Sequence, residues 1–164
     1  MNCDKTINLE KSLSDIKNTG AFLTSGNKRK ANTMTISWAG MGYMMKKNIF
    51  IILISNIRYT KEFIDKENTF TISIPYAEKM DRTLDICGHT SGRDADKKKI
   101  TDIEYDYGKK VDSPIVKGCA AYYECRVIFN QKIDVNDINP QLNLDDDENG
   151  HTMYFGEIVE AYTR

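Results

Sequence analysis

Two-residue alternation constrains this chain more than any other feature. In Asn32-Thr-Met-Thr-Ile-Ser-Trp38 three hydroxyl residues, Thr33, Thr35 and Ser37, alternate with Met34, Ile36 and Trp38. Successive side chains of a strand point to opposite faces, so this run has one hydroxyl face and one apolar face. The same period recurs in Thr69–Ile74 (TFTISI), Lys117–Gln131 (KGCAAYYECRVIFNQ) and His151–Tyr162 (HTMYFGEIVEAY). Alternation of this kind favours antiparallel pairing over a doubly wound sheet. The hydroxyl row of residues 32–38 suits an anionic or heterocyclic ligand, with Trp38 as a stacking surface. It equally suits a half-exposed strand with Thr on its wet face.

Between these runs the signals change. Residues 1–18 carry Ile7, Leu9, Leu13 and Ile16, as a short strand or a helix would. Ala21–Thr24 reads as the first strand and Gly26-Asn27 as a turn. Ala39–Lys47 (AGMGYMMKK) reads as an irregular crossing loop whose Met and Tyr side chains cover something apolar. Ile49–Ile54 is a continuous branched run, expected to be buried on both faces. Thr60 reads as the N-cap of a helix over Lys61–Glu67. Tyr76–Cys87 has helical spacing, with Gly88 as its stop. In the long strand, Cys119, Ala121, Tyr123, Cys125, Val127 and Phe129 share one face, and Tyr122, Glu124, Arg126 and Ile128 the other. The expected architecture is mainly β (α+β): a barrel of six or seven strands with two interspersed short helices.

The chain has 164 residues, 40% hydrophobic and 29% charged, which predicts one globular domain spanning 1–164. A net charge of −1 gives no overall attraction to nucleic acid or to anionic lipid. The longest apolar run, Ile49–Ile54, is too short to span a bilayer, and no secretory signal is visible. Four cysteines, Cys3, Cys87, Cys119 and Cys125, have no zinc spacing. Cys119 and Cys125 on one strand would lie about 20 Å apart, too far to bridge. Reduced thiols in a cytoplasmic protein are expected.

Three segments share a phosphate-and-ring character. Asn32–Trp38 offers hydroxyls and an aromatic. Ser55-Asn-Ile-Arg58-Tyr-Thr60 leaves a buried strand and enters a helix N-terminus, where backbone N–H groups favour an anion and Arg58 adds charge. Cys87-Gly88-His-Thr-Ser91-Gly92-Arg93 supplies glycines, hydroxyls and a cation, with Lys97 nearby. Two sharper alternatives fail. Asp145-x-Asp147-x-Asn149-Gly150 starts like a calcium loop, but its twelfth position is Gly156 where a bidentate Glu is needed, so a hairpin turn is expected. Cys87 with His89 or His151 lacks the third group of a thiol nucleophile.

The order N-x-M-T-x-S-W, hydrophobic strand, R-x-T-x-x-F-I, F-T-[IV]-[SN]-I-P and C-G-x-x-S-G-R-D-x-D-K resembles the flavin reductase-like, flavoredoxin-type family of FMN-binding split β-barrels. The likeness runs from about Gly20 to Lys97 and continues more loosely through Ser113-Pro114, A-x-Y-E-C and H-x-M-Y-F-G-E-I-V. It implies a six-stranded antiparallel Greek-key barrel and a homodimer with non-covalent FMN near the interface. It places Asn32, Thr33, Met34, Thr35, Ile36 and Ser37 along the isoalloxazine and ribityl chain, with Trp38 as aromatic neighbour. Ser55, Arg58 and Thr60 would hold the phosphate. Cys87, Gly88, Ser91, Gly92, Arg93 and Lys97 would complete the second side, and His151 would reach the flavin. The implied chemistry is hydride transfer from NAD(P)H to flavin, with the cofactor as redox centre and no catalytic acid or base assigned to the protein.

The family often has Pro where this chain has Asn48. Relatives commonly continue beyond the G-E-I-V strand, whereas this chain stops at Arg164, which implies a more open isoalloxazine. Two other readings stay open: an electron carrier without nicotinamide turnover, and a barrel binding some other phosphorylated ligand. Lys28-Arg-Lys30 reads either as a solvated loop or as a contact for the 2′-phosphate of NADPH.

Overall fold

The computed structural model describes residues 7–76, 79–142 and 150–163. Along the chain run α1 (Leu9–Thr19), β1 (Ala21–Gly26), β2 (Ala31–Ile36), β3 (Ala39–Met44), β4 (Lys47–Ser55), α2 (Tyr59–Glu67) and β5 (Thr69–Pro75). Then come α3 (Asp81–His89), α4 (Lys97–Ile100), β6 (Tyr105–Asp106), β7 (Ile115–Val116), β8 (Cys119–Ile133) and β9 (His151–Thr163). Cys3 and the acidic turn at 145–149 lie outside the described residues, as do residues 77 and 78 ahead of α3.

One seven-stranded sheet has the order β2-β1-β5-β8-β9-β4-β3, and every pairing in it is antiparallel. A separate ribbon pairs β6 with β7. The two edge strands, β2 and β3, are joined only by Ser37 and Trp38. Three Cα steps of 3.8 Å cannot cross a flat seven-stranded sheet, so the sheet curls until its edges meet as a split barrel. Leu53 N–H donates to the Trp38 carbonyl at 3.2 Å across this corner.

The barrel interior is filled by Met34, Ile36, Phe50, Ile52, Ile54, Phe70, Ile72, Tyr123 and Tyr154, with Ile16 of α1 packed among them. Each fully buried Phe, Ile or Leu contributes about 1.5–3 kcal/mol. A second cluster lies on the outer face. There Leu84 and Cys87 of α3 meet Phe22, Ile115, Val116, Tyr122 and Tyr162. β1 and β5 are therefore covered on both faces. This is why Thr71 and Ser73 are fully buried: Thr71 Oγ1 donates to the Pro114 carbonyl at 2.5 Å, and Ser73 Oγ accepts from Val116 N–H at 3.1 Å.

Several expectations need correction. Among the described residues the main sheet has seven strands, within the six or seven expected from the patterning and one more than the six the resemblance implies, and there are four α-helices rather than two. Ala39–Met44 is a strand, not a loop; it pairs with β4 through a two-residue turn at Met45 and Lys46, both at positive φ (52° and 60°). Such a turn matches the twist of its strands, which compensates for non-glycine residues in that region. β2 ends at Ile36, leaving Ser37 and Trp38 in the corner. The α2 helix begins two residues earlier than expected, with Arg58 as N-cap and Thr60 inside the first turn. Gly88 lies within α3, which is capped by Thr90. The expected faces of β8 hold from Ala121 to Val127; Cys119 packs instead with Tyr122 in the outer cluster, and a bulge between Val127 and Phe129 turns Phe129 outward.

Candidate functional site

β2 is the floor of a groove between α2, α3 and the loop after α3. Its apolar face enters the barrel through Met34 and Ile36. Its hydroxyl face is engaged by the protein itself. Thr33 Oγ1 bonds Thr24 Oγ1 at 2.8 Å and Tyr105 Oη at 2.7 Å, and Thr35 Oγ1 donates to the Leu84 carbonyl at 2.6 Å.

Two adjoining cavities follow this floor. One, of about 200 Å³, is lined by Met34, Thr35, Ile36, Ser37, Trp38, Leu53, Ile54, Ser55, Arg58 and His151. Trp38 and His151 meet there with ring centroids 5.3 Å apart. Ser55 is one of these lining residues, and its Oγ is, among the described residues, the one buried side-chain oxygen or nitrogen with no hydrogen-bond partner. A buried hydroxyl in that state costs free energy until a ligand supplies a partner.

The second cavity, of about 290 Å³, shares Met34 and Arg58 with the first and is lined further by Asn32, Thr60, Cys87, Ser91, Gly92, Arg93 and Lys97. Of the sequence-predicted residues only Thr33 and Gly88 line neither cavity. Thr33 is buried behind Tyr105, and Gly88 offers its carbonyl to Arg58 Nη1 at 2.8 Å.

Local geometry assigns different tasks to the cations. Arg58 stands at the α2 N-terminus, where unpaired N–H groups and the helix dipole favour an anion. Arg93 is turned away: it donates to the Ile57 carbonyl at 2.9 Å, ion-pairs with Glu62 and stacks on Tyr59. Lys97 is buried beneath the cavity, with Nζ on the carbonyls of Thr33 (2.6 Å) and Cys87 (3.0 Å). Burial lowers its pKa, with the Cys87 thiol opposing that shift and Arg58 adding to it. Burial pushes the Cys87 thiol up to about 11, partly offset by Lys97, so this thiol is protonated at neutral pH.

Asn32 and Gly92 lock the two walls. Asn32 Nδ2 donates to Thr60 Oγ1 at 2.8 Å, and a Cβ on Gly92 would lie 2.0 Å from Asn32 Oδ1. Thr90, one of the hydroxyls of the Cys87–Arg93 segment, also lines the second cavity, and Tyr59 and Leu53 line the cavities without having been anticipated. Tyr59 had a usable signal, as the aromatic between Arg58 and Thr60; Leu53 had none, since its role follows from the corner at Trp38. Among the described residues no cluster of His, Cys, Asp and Glu could hold a metal. No described helix is long and apolar enough to cross a membrane.

A curled antiparallel sheet with its groove along the split edge defines the class: a split β-barrel. The profile described as flavin reductase like domain matches residues 13–164, and the chain belongs to that family. Among solved structures, flavoredoxin from Methanosarcina acetivorans superposes with TM-score 0.71 at 26% identity, covering 89% of this chain and 68% of that one. Flavoredoxin of Desulfovibrio vulgaris (Miyazaki F) gives 0.69 at 25%, covering 89% and 70%. An uncharacterized protein of Archaeoglobus fulgidus is 25% identical over 140 residues, covering 85% of this chain and 70% of that protein. Family and neighbours together support a flavin-binding redox function.

Proposed function

We propose that this chain is one FMN-binding domain, holds FMN non-covalently in the paired cavities, and acts as an NAD(P)H-dependent flavin reductase in the cytoplasm. The observation that carries the reading is the unpartnered Ser55 Oγ, buried between an aromatic end at Trp38 and His151 and a cationic helix N-terminus at Arg58. The residues fit the group. Arg58 and the first N–H groups of α2 would bind the phosphate, and Ser55 would donate to the cofactor. Met34 through Ser37 would lie along the ring, Trp38 and His151 would flank it, and Gly92 lets the backbone approach closely. Cys87, Ser91 and Lys97 would form the opposite wall, with Arg93 orienting that loop through Glu62.

Bound there, FMN would supply hydride acceptance from NAD(P)H and electron delivery to an acceptor. The chain's own part is to orient the ring, exclude water beneath it and keep positive charge beside it through Lys97 and Arg58. A homodimer is part of the reading. Tyr43, Met44 and Met45 are exposed at the β3–β4 hairpin and Trp38 at the opposite end of β3, apolar surface of the kind subunits cover.

A second reading, an electron carrier without nicotinamide turnover, is supported by the 26% identity to a flavoredoxin. Titration with FMN, followed by its visible absorbance, tests the binding. Protein that ignores FMN overturns both readings. Oxidation of NADPH or NADH by the loaded protein supports the reductase, and its absence at saturating FMN leaves the carrier.

A further inference from the structure

The loop that joins α3 to α4, residues 90–96, forms one wall of the cationic end of the groove, yet little holds it there. None of its residues is buried. The loop is a tight local unit. Arg93 N–H donates to Ser91 Oγ at 3.2 Å, and the N–H groups of Asp94 and Ala95 donate to the Ser91 carbonyl at 3.1 and 3.2 Å. Among the described residues no backbone hydrogen bond joins it to α2 or to β2, the elements it faces. A segment with its own turn, no buried side chain and no backbone tie to the facing wall opens at low free energy.

One long side chain spans the gap. Arg93 reaches the start of α2, where it donates to the Ile57 carbonyl at 2.9 Å, ion-pairs with Glu62 and sets its guanidinium 4.9 Å from the Tyr59 ring centre. The pair is open to solvent: the Glu62 side chain is 59% exposed and that of Arg93 44%. An ion pair exposed in this way is weak and is screened by salt. That suits a latch that must release, whereas a buried anchor would hold the loop permanently. Behind the loop, Cys87 and Lys97 line the same cavity and are both buried. Glu62 lines neither cavity of the groove, so whatever it does there it does through Arg93.

We propose that residues 90–96 are a gate over the cationic end of the groove, and that Glu62 is the positioning residue that keeps it shut by pinning Arg93. The ligand that passes the gate is FMN, so the proposal rests on the flavin reading. Opening separates Arg93 from Glu62, exposes the wall at Cys87 and gives the phosphate a path to Arg58; closing restores the pair.

The test starts without cofactor. Alkylation by iodoacetamide, followed peptide by peptide in a mass spectrometer, reads Cys87 as the probe of the loop. Cys119 and Cys125, buried and lining no part of that cavity, report global opening. Glu62→Gln is expected to label Cys87 at least fivefold faster than the parent chain, with Cys119 and Cys125 within twofold. Added salt should speed Cys87 labelling in the parent chain and not in the variant. In stopped flow the variant should take up and release FMN at least fivefold faster with affinity within threefold, because a latch present in both the free and the bound chain alters both rates together. The proposal is overturned by an unchanged Cys87 rate, by a rise at Cys87 matched at Cys119 and Cys125, or by a freed Cys87 with unchanged FMN rates. A chain in which the variant frees Cys87 but which ignores FMN sinks the cofactor reading and leaves the latched loop standing.

Discussion

Gly92 and Asn32 lie so close that a methyl group on Gly92 would sit 2.0 Å from Asn32 Oδ1 and 3.0 Å from the Tyr59 ring. Asn32 cannot yield without breaking its buried bond to Thr60, a loss of about 0.5–1.5 kcal/mol. Gly92→Ala is therefore expected to weaken FMN binding at least tenfold and to lower Tm by roughly 2–4 °C, read by flavin titration and calorimetry.

Ser55 should separate stability from binding. Its Oγ has no partner in the cofactor-free chain, so Ser55→Ala is expected to leave that form as stable or slightly more so. FMN affinity should fall by about tenfold, one hydrogen bond's worth. A variant less stable without cofactor and unchanged in affinity would remove Ser55 from the site.

Arg58 is exposed and, among the described residues, its side chain donates to the Gly88 carbonyl alone, at 2.8 Å. Its assignment to phosphate predicts that Arg58→Gln weakens FMN at least tenfold and leaves riboflavin, which has no phosphate, within twofold. Equal losses for both ligands would move Arg58 off the phosphate.

Glu124 is fully buried and accepts from Lys109 N–H (2.6 Å), Lys110 N–H (2.6 Å), Val111 N–H (3.1 Å) and Tyr162 Oη (2.9 Å). It pins the loop before β7 to β8. Glu124→Ala strands three backbone donors and should cost about 3–5 kcal/mol in denaturant unfolding.

Burial holds the Cys119 thiol up at about 12, against 9.0 for the free group. As pH rises past 9 the unfolded thiol loses its proton first, so the native state binds more protons between 9 and 12. Stability falls with pH across that window, by at most about 1.4 kcal/mol per unit from this group. Cys119→Ala should show a shallower alkaline decline in urea midpoints measured from pH 9 to 11.

Period-two patterning was enough to place β2, β5, β8 and β9, because a half-buried strand writes its two faces into the sequence. It failed at residues 39–44. Two glycines and two methionines there carry no alternation, and pairing with β4 makes the strand. The sequence cannot show that β7 and the loop before it cover β5 and bury Thr71 and Ser73. Most of the candidate site was legible because its residues sit in three short local motifs. The pairing of Arg93 with Glu62 was not, since the two residues are 31 positions apart along the chain.

By itself the sequence determined the strand identities, the polar-apolar faces and the glycine, hydroxyl and cation motifs, all of which depend on neighbours within a few residues. Tertiary structure alone decided what those faces meet. The two-residue corner at Ser37-Trp38 forces the sheet edges together, and that closure sets Trp38 beside His151, 113 positions away in the chain. Thr33 and Thr35, the residues that first suggested a ligand, spend their hydroxyls on Tyr105 and Leu84, while Ser55 is left unpartnered. A side chain's type states what it can bond; only the packed fold states whether that capacity is already used.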